Sequence, residues 1–171
     1  MTITIGILRA DDIPVELNTD FGQYPQMIED LIVSANLARK AEAKNLEFRV
    51  YAVNREEYPE DIHEVDGYII TGSKSSVYDP DPWIAKLQSF VATLHRNKKN
   101  TVGICFGHQI IASALGGKTE KAPIGWGLGV IATEMTDTAA IKSLGLQNGQ
   151  SNINLFYSHQ DQVAQPAPGS A

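Results

Sequence analysis

The only cysteine of the chain lies in the segment Gly103-Ile104-Cys105-Phe106-Gly107-His108-Gln109. The β-branched run Thr101 to Cys105 predicts a strand, and Gly107 to Leu115 predicts a helix that stops at Gly116-Gly117. A glycine two residues before and two after the cysteine is what a sharp strand-to-helix turn needs. The same logic holds for serine nucleophile elbows, with sulfur here in place of oxygen. Such a turn pushes the thiol out into a cleft. The helix N-terminus then favours the thiolate, and the backbone N–H of Phe106 is placed to stabilise an oxyanion. These are the parts of nucleophilic acyl transfer. The plainer alternative is that Cys105 is a buried small residue, as most free cysteines are.

A second oxyanion donor has to come from a neighbouring strand end. Gly72, after the apolar run Gly67 to Ile70, is the candidate, because a glycine backbone can approach a ligand closely. Read alone, it is an ordinary turn glycine. The same loop, Thr71 to Ser76, does not match a phosphate-binding loop, since no Lys follows the second glycine of a GxxxxGK[ST] pattern. Acyl transfer also needs a base. His63 lies in a polar connection and His95 in a basic helix end, so both read as surface residues. His108 sits on the elbow helix and is expected to pack or hydrogen-bond beneath the thiol rather than fold back onto it. His159, oriented by Asp161, is the candidate base within the chain, although both residues also fit a loop that merely fixes backbone geometry.

The elements that must carry these residues alternate. Strands are predicted over Thr2–Leu8, Leu46–Val53, Gly67–Ile70, Thr101–Cys105 and Ile153–Tyr157. Helices are predicted over Tyr24–Lys44, Trp83–Leu94 and Gly107–Leu115, with a short one over Ala139–Leu144. Asp81 is the expected N-cap and Pro82 the first helical residue of the second helix. Lys118 to Met135 reads as extended or hairpin structure, and Gln165 to Ala171 as a tail or a loop. Alternating strands and helices imply a parallel sheet covered on both faces. Ligands then bind at the carboxyl ends of the strands. That puts Thr71-Gly72-Ser73, Cys105-Phe106-Gly107 and Ser158-His159-Gln160 along one rim.

The chain has 171 residues, 43% hydrophobic and 20% charged, with a net charge of -6. One sizeable core is expected, hence a single domain over residues 1–171. The acidic balance argues against a nucleic-acid partner. No apolar run approaches the ~20 residues that span a bilayer, and the N-terminus lacks the basic start and apolar stretch of a signal peptide. A cytoplasmic protein is expected. One cysteine excludes an internal disulfide and a multi-cysteine zinc site; no metal and no cofactor is expected.

Gly103-x-Cys105-x-Gly107-x-Gln109, continuing through Ile110 to Lys118, resembles the nucleophile segment of class I (triad-type) glutamine amidotransferases. The match is closest to the small stand-alone group similar to the amidotransferase domain of GMP synthase. Phe21-Gly22-Gln23-Tyr24-Pro25, the loop Ile70 to Val77, Trp126-Gly127 and Ser158 to Val163 resemble further landmarks in order. Thr71 and Ser73 depart from the Gly and Pro more usual in the loop. The resemblance implies a flavodoxin-like three-layer α/β fold that hydrolyses the glutamine side-chain amide and passes ammonia to an acceptor. It implies that Cys105 forms the γ-glutamyl thioester and that Gly72 and Phe106 give the oxyanion N–H groups. It further implies that Gln109, Ser158, Gln160 and Asp161 contact the bound glutamine.

In that family the base is not His159 but a later His followed two residues on by Glu. No His-x-Glu occurs in this sequence. The expectation is therefore a fold missing its last strands and helix, with an exposed sheet edge and impaired catalysis. General acid–base chemistry alone is worth ~10²–10⁴-fold. Glutamine is the expected ligand. An ammonia-accepting synthetase, or a second copy joined through the exposed edge, is the expected partner. A non-catalytic glutamine-binding or protein-interaction module is the alternative.

Overall fold

The structure is a computed structural model and describes residues 2–39, 42–135 and 152–168. Eight strands and four α-helices are described. In chain order they are β1 (Thr2–Arg9), α1 (Val15–Phe21), α2 (Tyr24–Ala38), β2 (Asn45–Ala52), β3 (Gly67–Ile70), α3 (Pro82–Arg96), β4 (Asn100–Gly103), α4 (Phe106–Ala114), β5 (Lys118–Lys121), β6 (Gly127–Glu134), β7 (Asn152–His159) and β8 (Asp161–Gln165). The described residues fall into two compact units. One draws on Met1–Glu120 and Val163–Ala171, the other on Lys121–Gln162.

The first unit is built on a parallel four-stranded sheet in the order β2-β1-β3-β4. The apolar run of β1 buries its centre: Ile7 and Leu8 are fully buried, as a strand covered on both faces should be. Successive side chains point to opposite faces. Leu8 joins Tyr68 and Ile70 of β3 on one face, under Ile84, Leu87, Val91 and Leu94 of α3 and Ile110 of α4. Those α3 residues recur at three- and four-residue spacing, which is why one stripe of the helix is buried. Gly6 lets the Tyr68 ring lie on β1, since a Cβ there would come within 2.8 Å of it. α2 packs against β1 and β2 and buries only Pro25 and Ile28. α3 starts where expected, with Asp81 at the N-cap position, but the Asp81 carboxylate makes no capping bond.

The strand order reverses between β1 and β3, because the chain goes from β1 to β2 on one side and returns to β3 on the other. The loops leaving β1 and β3 therefore diverge at a topological switch point, where open α/β sheets bind ligands. β4 ends the sheet order, with Val102 and Ile104 exposed. A separate two-stranded sheet joins β5 and β8.

The second unit is an antiparallel pair of β6 and β7, in register from Gly127 opposite His159 to Glu134 opposite Asn152. Here the structure corrects the sequence reading. Ile153 to Tyr157 does not extend the parallel sheet, and Ser158 and His159 belong to β7 itself rather than to a loop at the rim. A short apolar run reads as a buried strand whichever sheet it joins, yet Leu155 and Phe156 of β7 are exposed. Three smaller differences are local. Val15–Phe21 forms a helix that the sequence reading did not give, α2 stops at Ala38 rather than Lys44, and Gln165 ends β8. The helix expected over Ala139–Leu144 lies outside the described residues.

Candidate active site

Cys105 stands between the end of β4 and the first residue of α4, with φ 53° and ψ -109°. A positive φ is uncommon for a non-glycine residue and marks stored strain. Both flanking glycines are sterically required. A Cβ on Gly103 would overlap the Gly107 carbonyl, and one on Gly107 would overlap the Ile70 carbonyl at the end of β3. The turn is thus pressed against β3, and the Ile104 N–H donates to the Ile70 carbonyl at 3.0 Å. Gln109 N–H donates to the Cys105 carbonyl at 3.1 Å, which closes the first helical turn. Phe106 is the first residue of α4, so its N–H has no acceptor within the helix. The Phe106 side chain is fully buried, 5.6 Å from the Trp83 ring. Cys105 itself is half-buried.

Gly72 faces this turn. A Cβ built on it would lie 3.7 Å from Cβ of Cys105 and 3.9 Å from the Ile104 carbonyl. That is ordinary contact, so Gly72 is not required by crowding within the protein. The space opened by the missing side chain lies directly beside Cys105. Of the residues singled out from sequence, Gly72, Cys105 and Phe106 are brought together. Gln109 is buried on α4, four residues after Cys105. Ser158, Gln160 and Asp161 belong to the second unit. Ser158 is exposed, Gln160 accepts the Ala122 N–H at 2.8 Å, and Asp161 is buried. His159 also belongs to that unit, its ring 4.9 Å from the Tyr157 ring. His63 and His95 are exposed as expected, and His108 is exposed on α4, so it is not packed in the core.

The loop that carries Gly72 is held by residues that sequence reading passed over. Thr71 is fully buried. Its Oγ1 accepts the Ala10 N–H at 2.9 Å and donates to the Gly72 carbonyl at 3.0 Å. The Asp11 carboxylate accepts the Lys74 N–H at 3.0 Å and lies 3.5 Å from the Ser73 hydroxyl and 3.4 Å from Lys74 Nζ. The Gln23 amide exchanges two bonds with the Ile13 backbone, at 2.9 and 3.2 Å, and so ties the loop after β1 to the start of α2. Tyr24 follows. Its hydroxyl pKa is raised, first by burial, then by the negative charge of Asp11 and by Cys105. Tyr24 thus shares the electrostatic environment of both. Asp11 could have been suspected as an acid just past a strand end, and Thr71 from its departure at a usual glycine.

A strained cysteine turn at the carboxyl end of a strand in a parallel α/β sheet sets the class of the domain. The particular family follows from the family model and the sequence relatives. The model of the glutamine amidotransferase class-I family matches residues 27–168. A glutamine amidotransferase-like protein of Schizosaccharomyces pombe is 35% identical over 175 residues, covering 99% of this chain and 68% of its own. Gamma-glutamyl peptidase 5 of Arabidopsis thaliana is 37% identical over 111 residues, covering 63% of this chain and 44% of its own. The crystal structure of a glutamine amidotransferase from Thermotoga maritima superposes with a TM-score of 0.70 at 18% identity, covering 96% of this chain and 63% of that one. The chain belongs to the class I glutamine amidotransferase family. It spans between 44% and 68% of the length of these proteins.

Proposed function

We propose that the chain cleaves the side-chain amide of glutamine, or the equivalent bond of a γ-glutamyl compound, through a Cys105 thioester. The observation that carries this is the strained backbone of Cys105, held between two obligatory glycines and facing Gly72. In the reaction the Cys105 thiolate adds to the amide carbon, and the carbonyl oxygen takes the negative charge. The N–H groups of Phe106 and Gly72 receive that oxygen. Collapse expels ammonia once its nitrogen has gained a proton. Water then cleaves the thioester, which releases glutamate and regenerates the thiol. The resemblance to the family assigns Gln109, Ser158, Gln160 and Asp161 to contacts with the bound glutamine. We take residues 1–171 as a single amidotransferase-like domain in the cytoplasm, and its partner as an ammonia-accepting synthetase. The relative named a γ-glutamyl peptidase supports γ-glutamyl peptides as a second donor class.

No His-x-Glu pair occurs in the 171 residues. Hydrolysis by this chain alone is therefore impaired, by about 10²–10⁴-fold on the usual worth of acid–base catalysis. The same observation favours a second reading, a module that binds the γ-glutamyl group without turnover. The test is ammonia release from glutamine, and amine release from a γ-glutamyl peptide, beside a Cys105→Ala control. Slow release that the control lacks supports the first reading. Glutamine protection of the thiol from alkylation without any release supports the second. Release at a rate typical of enzymes, on the order of 10 s⁻¹, would sink the impairment.

A further inference from the structure

The Gly72 loop carries one oxyanion donor, yet glycine is the residue least able to hold its own backbone still. Something else must fix the direction of its N–H. The peptide before Thr71 is fixed, because the Thr71 N–H donates to the Leu8 carbonyl at 3.1 Å. The peptide after Gly72 is fixed by the Thr71 hydroxyl. That hydroxyl has one proton. The Ala10 N–H is itself a donor and takes a lone pair, at 2.9 Å, so the proton goes to the Gly72 carbonyl, at 3.0 Å. With the planes on both sides held, the Gly72 N–H between them has little freedom left. Thr71 is fully buried, so its bond to the Ala10 N–H is shielded from water, while the bond to the Gly72 carbonyl is part-buried.

We propose that Thr71 is a positioning residue of this site: its buried hydroxyl, anchored on Ala10, holds the Gly72 peptide in the orientation that receives the oxyanion. Asp11 braces the far side of the same loop through the Lys74 N–H and the Ser73 hydroxyl. The role rests on the γ-glutamyl reading of Cys105 given above. It goes beyond that reading by naming what holds the donor, which neither the thiol nor the glycine does for itself. A glycine at position 71 has no hydroxyl and would leave the orientation to the rest of the loop.

The experiment compares two alkylating reagents on the 171-residue chain. A chloroketone analogue of glutamine reacts only when its carbonyl is seated beside the thiol; the C–S bond forms as chloride leaves. Iodoacetamide needs only an accessible thiolate. In Thr71→Val, which keeps the shape and removes the hydroxyl, chloroketone labelling should slow by about tenfold or more. Iodoacetamide labelling should stay within about twofold, and Thr71→Ser should restore the chloroketone rate. Thr71→Ala gives the same comparison if the valine variant does not fold by circular dichroism. Unchanged chloroketone labelling in the folded variant, with glutamine still protecting the wild-type thiol, overturns the role of Thr71 alone. Parallel slowing with both reagents overturns it too, as the thiol itself would then be disturbed. If glutamine and a γ-glutamyl peptide both fail to protect the wild-type thiol, the γ-glutamyl reading falls first, and the role of Thr71 with it.

Discussion

At the scale of single residues, the site is a set of backbone constraints around one sulfur. Cys105 holds a conformation that costs about 1–3 kcal/mol in a non-glycine residue. Two substitutions that both remove the thiol should therefore differ. Cys105→Gly is expected to be more stable than Cys105→Ala by about 1 kcal/mol in urea unfolding, because glycine tolerates the positive φ. Equal midpoints would mean that the turn relaxes. The glycines around the elbow should separate as clearly. Gly107→Ala drives a methyl into the Ile70 carbonyl, and backbone cannot move aside as a side chain can. Its expected cost is about 1–3 kcal/mol or more, seen as a lower thermal midpoint. Gly72→Ala meets only ordinary contacts, so it should keep the wild-type midpoint. It places its methyl beside Cys105 and, on the proposed function, should abolish glutamine protection of the thiol. Retained protection would remove the space beside Gly72 from the site.

At the scale of elements, α3 anchors one face of the sheet through the stripe Ile84, Leu87, Val91 and Leu94. Leu87 is fully buried, so Leu87→Ala should destabilise the fold by about 2–5 kcal/mol in urea titration. A loss under about 1 kcal/mol would mean that the stripe is not the core. The elbow depends on this packing at second hand. β4 and α4 meet at Cys105, and Phe106 of α4 is buried in the cluster that α3 covers. The strand and helix boundaries around Cys105 were legible in the sequence because glycines punctuate them. The placement of β7 was not. Its apolar run carries no mark of whether its partner is parallel or antiparallel, since pairing is set by residues far away in the chain.

At the scale of the whole molecule, pH links the core to stability. Burial holds the Tyr68 hydroxyl in its neutral form, helped by the negative charges of Glu64 and Asp61, so its pKa rises to about 12. The neutral hydroxyl donates to the Ile62 carbonyl at 3.0 Å. In the unfolded chain the group titrates near its ordinary value of 10. The folded state then keeps a proton that the unfolded state has lost. The stabilisation is complete below pH 10 and disappears as pH rises from 10 towards 12. Urea midpoints should fall over that window in the wild type and fall less steeply in Tyr68→Phe. Identical slopes would take Tyr68 out of the alkaline transition.

The family and the sharp turn at Cys105 were readable from sequence alone. A cysteine between two glycines at a strand-to-helix junction is a local signal, and so is the ordered set of landmarks that marks the family. The core of the four-stranded sheet was legible for a similar reason, as β1 and β3 are short runs rich in β-branched and apolar residues, bounded by turns. What only the tertiary structure decided is what holds the site in shape. Thr71 and Asp11 act on a loop more than sixty residues from Ala10 and its neighbours. Such bonds exist only because β1 and β3 lie side by side in the sheet, and side-chain type does not announce them in advance. The same holds for Ser158, His159 and Gln160. Their order along the chain suggested a shared rim, and the antiparallel pairing of β6 with β7 placed them in a unit of their own. Local spacing determines turns and helix starts; which strand becomes whose neighbour depends on the whole chain collapsing around one core.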